Sequence, residues 1–260
     1  MYSSDAFGTY AARHEGKSDI SWYHRKFLRL FDAGSCPLLL DVGCGDGSFL
    51  LTAQRSGFEV WGADFDEKSV EAARRSGLAN VYPKSLNEFV EFANLNGKRF
   101  DAVTFFEVIE HQEDPLGFLR QIRAVLASHG LIAGSVPNRN RFCVSLERLQ
   151  NPADFPPHHF TWWSKDALHF ALSNAGFQEI SIDSESRYNS EETASWWATV
   201  FSGLIARRIK NTSGNELSSI AHKSILLRLL ARRLFYPLGY VSQYVFNSKG
   251  DKLFFTARRS

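Results

Sequence analysis

The chain has 260 residues, 44% of them hydrophobic, 14% aromatic and 22% charged, which allows a sizeable core in one or two domains and excludes a disordered, collagenous or disulfide-stapled chain. The net charge of +2 conceals an asymmetry: residues 201 to 260 hold 11 Lys/Arg against Glu216 and Asp251, and the first 200 hold 19 basic and 26 acidic groups, so a basic C-terminal part faces an anionic partner while general nucleic-acid affinity is disfavoured. Three scattered cysteines without a CxxC pair, Cys36, Cys44 and Cys143, argue for reduced thiols in a cytoplasmic setting, and the chain shows neither a signal peptide nor an apolar run of the roughly 18 to 20 residues that span a bilayer.

In chain order, residues 1–35 read as an N-terminal helical segment whose helix, Ile20 to Phe31 with Trp22, Tyr23 and Phe27, either lies over a ligand as a lid or packs on the core. From Pro37 to Val136 short apolar runs alternate with helical stretches. Strands are expected at Leu38 to Val42, Phe58 to Gly62, Ala79 to Tyr82, Phe100 to Phe106 and Leu131 to Val136. Helices are expected at Gly47 to Ser56, Glu67 to Ser76, Ser85 to Leu95 and Pro115 to Ser128, each stopped by Gly or Asn or by the next strand. A loop rich in Asn, Arg, Pro and His follows Pro137, then a helix from Ser164 to Ala175 and a strand from Phe177 to Asp183. Residues 193–246 interrupt the pattern with two basic amphipathic stretches, and a last strand, Lys252 to Ala257 within 247–260, returns to the sheet edge. The βαβ series of residues 36–192 defines an α/β, doubly wound, mostly parallel seven-stranded sheet with a helical insertion before its last strand.

The turn Leu40-Asp41-Val42-Gly43-Cys44-Gly45-Asp46-Gly47 sets three glycines between the first strand and its helix, where the backbone must bend sharply and lie against a ligand. Asp64, 21 residues after Gly43, ends the second strand, where a carboxylate can accept both hydroxyls of a ribose. A dinucleotide fingerprint needs GxGxxG, and here the third glycine comes one residue early. The carboxylate of Asp41 repels phosphate and suits an ammonium, so the chemistry favours S-adenosylmethionine over NAD.

Leu38 to Leu50 resembles the first motif of class I S-adenosylmethionine-dependent methyltransferases, and Val60-Trp61-Gly62-Ala63-Asp64 resembles their second-strand acid. The resemblance implies the Rossmann-like methyltransferase fold and S-adenosylmethionine as cofactor. It places Asp41, Gly43, Cys44 and Gly45 around the methionine portion, Asp64 on the ribose, and Phe65, Phe106 and Glu107 at the rest of the cofactor site. Pro83-Lys84-Ser85 departs from the family's adenine-contacting Asp, which leaves backbone groups of Ser85 or Leu86 to serve.

Glu107-Val108-Ile109-Glu110-His111 follows the fourth strand at the sheet's carboxyl edge. Were it a helical turn, Glu107 would face Glu110 and His111 at the i, i+3 and i, i+4 spacings. The segment is similar to the Glu-Val-x-Glu-His stretch of the ubiquinone-biosynthesis O-methyltransferases and of the small-RNA 3′-terminal 2′-O-methyltransferases, in which matching groups bind a divalent metal. Three readings stand side by side: Glu107 contacts cofactor while His111 packs and caps; His111 is a general base oriented by Glu110; or the cluster holds Mg²⁺ or Zn²⁺. Gln112 stands where the RNA enzymes have a second histidine, so a metal is possible but not favoured and would draw a ligand from His158 or His159.

Those two histidines lie in Pro156-Pro157-His158-His159-Phe160-Thr161-Trp162-Trp163, part of a loop long enough to be functional. They either form a turn that caps the next helix or grip the acceptor. The stripe Trp197, Val200, Phe201, Leu204 and Ile205, with Arg207, Arg208, Lys210, Arg228, Arg232 and Arg233, could rest on anionic lipid, cover a greasy acceptor, form a dimer contact or simply pack. Methyl transfer to a hydroxyl of a small molecule, lipid, quinone or sugar is the leading function. Its rivals are a metal-dependent RNA 2′-O-methyltransferase and a non-catalytic S-adenosylmethionine-binding partner protein.

Overall fold

The computed structural model describes residues 20–31, 36–141, 155–184 and 250–260. The chain divides into two compact units: residues 1–139, 145–183 and 252–260 make the first, and residues 140–144 and 184–251 the second. Nearly every described residue belongs to the first unit. The expected amphipathic insertion at 193–246, and the segment 1–19 of the N-terminal region, fall outside the described residues.

After helix α1 (Trp22–Leu28) the chain runs β1 (Leu38–Val42), α2 (Ser48–Arg55), β2 (Glu59–Asp64), α3 (Glu67–Arg75), β3 (Val81–Pro83), α4 (Leu86–Leu95), β4 (Phe100–Phe106), a single 3₁₀ turn (Ile109–His111), α5 (Pro115–Val125), β5 (Leu126–Pro137), α6 (Lys165–Asn174), β6 (Phe177–Ser184) and β7 (Lys252–Arg259). The seven strands form one sheet in the order β3-β2-β1-β4-β5-β7-β6. β1 pairs in parallel with β2 and β4, β2 with β3, and β4 with β5, whereas β7 runs antiparallel to β5. The α/β, doubly wound reading is thus the observed architecture.

Local chemistry sets the helix boundaries. Asp66 accepts the Ser69 amide, Asp114 that of Gly117 ahead of Pro115, and Ser164 that of Ala167. Ser85 and Glu88 form a reciprocal capping box, the signature of Ser and Glu three residues apart. Along the strands, side chains alternate between two cores with period two. Leu40, Val42, Val103, Phe105, Ile132 and Phe255 join the core beneath α4, α5 and α6. Leu39, Ala102, Leu131, Ala133 and Phe254 join that of α1, α2 and α3. Both faces of a mostly parallel sheet are therefore covered.

Two expectations are corrected. The last strand does not return to the sheet edge: β7 lies between β5 and β6, pairing Leu131 with Arg258 at one end and Pro137 with Lys252 at the other. Its apolar residues Leu253, Phe254, Phe255 and Ala257 are almost wholly buried, an interior signature that an edge strand with one partner would not need. The helix expected to reach Ser128 ends at Val125, and Leu126 already pairs with Phe100 before the ladder shifts to Ala102–Leu131. Arg259 explains the early stop, because its guanidinium donates to the carbonyls of Arg123 and Leu126 that would otherwise end the helix unsatisfied.

Candidate active site

The carboxyl ends of β1, β2, β4 and β5 meet at one edge, the place where open α/β sheets bind ligands. Gly43 and Gly45 in the turn after β1 have φ of +75° and +53°, a region costly for residues with a Cβ. The Gly43 amide donates to the Ala63 carbonyl at 2.7 Å. A Cβ on Gly43 would lie 2.6 Å from Val108 Cγ2, so the turn after β4 packs directly on the glycine turn. A Cβ on Gly45 would meet nothing within 4 Å, so this backbone faces open space.

Two carboxylates flank that opening. Asp41 is 4% exposed and accepts the Thr104 hydroxyl at 2.6 Å. Burial pushes its pKa up to about 7, against the Thr104 hydrogen bond and with help from the Asp64 charge. Asp64 accepts the amides of Gly45 and Asp66, each at 2.9 Å, and burial raises its pKa as well. The Cys44 thiol is buried between them and pushed upward by desolvation, then by both aspartates, so it stays protonated. Phe65, next after Asp64, is 63% exposed.

The raised Asp41 pKa has a consequence for stability. Between 3.8 and about 7 the folded chain holds a proton that the unfolded chain has lost, so stability falls as pH rises through that window. Urea denaturation of the ligand-free protein should show Asp41→Asn gaining on wild type by about 3 kcal/mol between pH 5 and pH 8, the size expected of two pKa units. Parallel pH profiles for the two proteins would show instead that Asp41 is ionised without a ligand.

The turn after β4 is not the helical turn that spacing alone allows. Glu107 adopts a left-handed φ of +57°, which costs a non-glycine residue about 1–2 kcal/mol, and helical geometry begins only at Ile109. Its carboxylate is thereby turned away from the other two groups: Oε1 accepts the Ser135 hydroxyl at 2.7 Å, and Oε2 lies 2.9 Å from Lys252 Nζ. Glu107 acts on Glu110 and His111 only through space, as a neighbouring charge.

Glu110 and His111 instead meet the loop after β5. The amides of Phe160 and Thr161 donate to the Glu110 carbonyl. His111 Nδ1 lies 2.6 Å from the His158 carbonyl. Because a carbonyl only accepts, Nδ1 carries the proton and Nε2 the lone pair. Burial lowers the His111 pKa, partly opposed by that hydrogen bond, so the imidazole is neutral at neutral pH. Glu110 is 1% exposed, its Oε2 has no hydrogen-bond partner, and burial followed by the Glu107 charge raises its pKa well above the carboxylate range. The His159 ring lies edge-on to His111 at 4.9 Å. Glu110, His111 and His159 each offer one potential ligand atom within 4.8 Å of the others, a set able to hold a metal ion. Neither histidine caps the following helix, a position Ser164 fills.

In the loop after β3, the Ser85 amide donates to Glu88 Oε2 at 2.8 Å as part of the capping box. Phe106 is half-buried: its ring stacks on Tyr23 at 5.3 Å and meets His24 and Phe49 edge-on. His24 is so buried there, beside Lys252, that its pKa drops to about 3. Sequence reasoning missed Thr104, Ser135 and Lys252 as parts of this site. Only Thr104 carried a signal, as a polar residue within an apolar strand.

Fold and turn together define an α/β protein that presents a glycine-lined backbone, one buried carboxylate and one half-buried carboxylate at the carboxyl edge of a mostly parallel sheet. A methyltransferase-domain family model matches residues 14–182, and the chain belongs to that family. A ubiquinone biosynthesis O-methyltransferase of Cereibacter sphaeroides is 34% identical over 152 residues, 55% of this chain and 60% of its own. A namesake from Ruegeria pomeroyi matches to the same extent. The chain thus spans three-fifths of the length of these curated relatives. The fold is similar to that of an S-adenosylmethionine-dependent methyltransferase from Archaeoglobus fulgidus, with a TM-score of 0.61, 16% identity, and 97% and 99% of the two chains covered. It is also similar to that of magnesium protoporphyrin IX methyltransferase from Synechocystis with S-adenosylhomocysteine bound, with a TM-score of 0.51, 19% identity, and 71% and 93% covered.

Proposed function

We propose that the protein transfers the methyl group of S-adenosylmethionine to a hydroxyl of a small molecule, lipid, quinone or sugar. The observation that carries this is the pairing, on one sheet edge, of a cation-seeking glycine turn with a neutral histidine whose Nε2 lone pair is left to a ligand. Bound there, S-adenosylmethionine supplies an electrophilic methyl on a positively charged sulfur. Asp41 would hold the ammonium of its methionine portion, which restores ionisation to a carboxyl that burial disfavours. Gly43 and Gly45 let the backbone approach, and Asp64 would hold the ribose. His111 Nε2 takes the acceptor proton as the oxygen attacks, with the His158 carbonyl fixing the ring. Alignment and exclusion of water do the rest, since the leaving sulfur becomes neutral.

Calorimetry with S-adenosylmethionine, S-adenosylhomocysteine and NAD tests the reading. Binding of the first two but not NAD supports it, and indifference to all three at millimolar concentration overturns it. The rival reading, a non-catalytic S-adenosylmethionine-binding partner protein, predicts binding but no S-adenosylhomocysteine release on any hydroxylated acceptor.

The Glu110, His111 and His159 set supports a second reading, in which a divalent cation there activates the acceptor hydroxyl. Turnover abolished by chelator and restored by Mg²⁺ or Mn²⁺ favours it over the base. The acidic first 200 residues speak against an RNA acceptor. No described helix is long and apolar enough to cross a membrane, and the basic composition of residues 193–246 supports contact with the inner face of a membrane in an otherwise cytoplasmic protein.

A further inference from the structure

We propose that Lys252 is a positioning residue for the transfer, acting through Glu107 and Tyr23 to hold the turn after β4 and to cancel the pocket's excess charge. The inference rests on the methyl-transfer reading above. Lys252 opens β7 opposite Pro137, at the carboxyl end of β5. Its ammonium lies 2.9 Å from Glu107 Oε2 and 5.2 Å from the centroid of the Tyr23 ring. Tyr23 in turn stacks on Phe106, the chain neighbour of Glu107. The four residues therefore close a ring of contacts that joins α1, the strained turn after β4 and the start of β7, three segments far apart in sequence.

Two consequences follow. Glu107 is held in a left-handed backbone conformation that persists only when its surroundings over-determine it, and Ser135 and Lys252 supply that determination from two sides. The pocket also holds the carboxyl groups of Asp41, Asp64 and Glu110. An unpaired Glu107 charge beside them would favour the sulfonium of the substrate over the neutral thioether of the product, and so stabilise the ground state at the expense of the transition state.

The test measures dissociation constants of S-adenosylmethionine and S-adenosylhomocysteine by calorimetry on the full chain. In Lys252→Met, which keeps the stem and removes the charge, preference for the sulfonium should rise about fivefold or more, since a bared charge in a partly buried pocket acts at reduced dielectric. Lys252→Arg should restore the wild-type ratio. Glu107→Gln should shift it the opposite way, because it leaves the ammonium unpaired, and it carries the test alone if Lys252→Met does not fold. Hydrogen exchange should accelerate in Trp22–Leu28 only in the two charge-removing variants. A normal ratio in folded Lys252→Met and Glu107→Gln overturns the role of Lys252 and leaves the methyl-transfer reading standing. Wild-type protein that binds neither nucleoside removes that reading, and this proposal with it.

Discussion

Replacing His111 with alanine is expected to cut turnover by roughly two to four orders of magnitude, the usual worth of a positioned general base, while S-adenosylmethionine affinity stays within about threefold of wild type, under 1 kcal/mol. The expectation comes from geometry first. The His158 carbonyl 2.6 Å from Nδ1 fixes the tautomer, so Nε2 alone is left to accept a proton. Electrostatics agrees: burial lowers the imidazole pKa and raises that of Glu110, which favours the neutral form of both. The partners of both lie in the loop after β5, which is why affinity should survive. Single-turnover measurement of S-adenosylhomocysteine release with saturating acceptor reads the chemical step directly. Near-normal release by His111→Ala would take the base role away, and a loss reversed by added Mn²⁺ would hand His111 to the metal reading.

Much of this arrangement was legible in the sequence because its signals are local. Parallel strands buried on both faces are continuous apolar runs, as in Leu38 to Val42, and a capping box needs only Ser85 and Glu88. The glycine spacing and Asp64 likewise announce a nucleoside site without any tertiary information. What escaped depends on long-range pairing. With β7 placed at the sheet edge, Lys252 has no reason to approach Glu107; inserted beside β5, it stands opposite Pro137 and reaches the turn after β4. The diversion of Glu107 from its helical neighbours was equally invisible, because spacing says which side chains a helix would align and not whether the backbone turns left-handed first. His159 was within reach of sequence reasoning as a spare ligand, a helix cap or a grip on the acceptor. Its approach to Glu110 and His111 follows from the bonds of Phe160 and Thr161 to the Glu110 carbonyl, which no pattern in the loop reveals.

The glycine turn itself can be tested by separating its conformational from its steric duty. Gly45 and Gly77 both have positive φ, +53° and +99°, and a Cβ on either meets no atom of the chain within 4 Å. Alanine at either site should therefore carry only the cost of a left-handed conformation, about 1–2 kcal/mol of stability, read from urea midpoints. Their effects on the ligand should differ sharply. Gly77 ends α3, remote from the opening, and Gly77→Ala should bind S-adenosylmethionine as wild type does. At Gly45 the space free of protein is the space the nucleoside needs. A methyl that crowds the bound nucleoside costs about 1–3 kcal/mol, or roughly 5- to 150-fold in affinity. Gly43→Ala is a poorer probe, since its Cβ strikes Val108 Cγ2 at 2.6 Å and binding loss there would mix with a displaced turn after β4. Equal affinity in Gly45→Ala and Gly77→Ala would mean that the turn is an ordinary bend and that the nucleoside, if bound, lies elsewhere along the sheet edge.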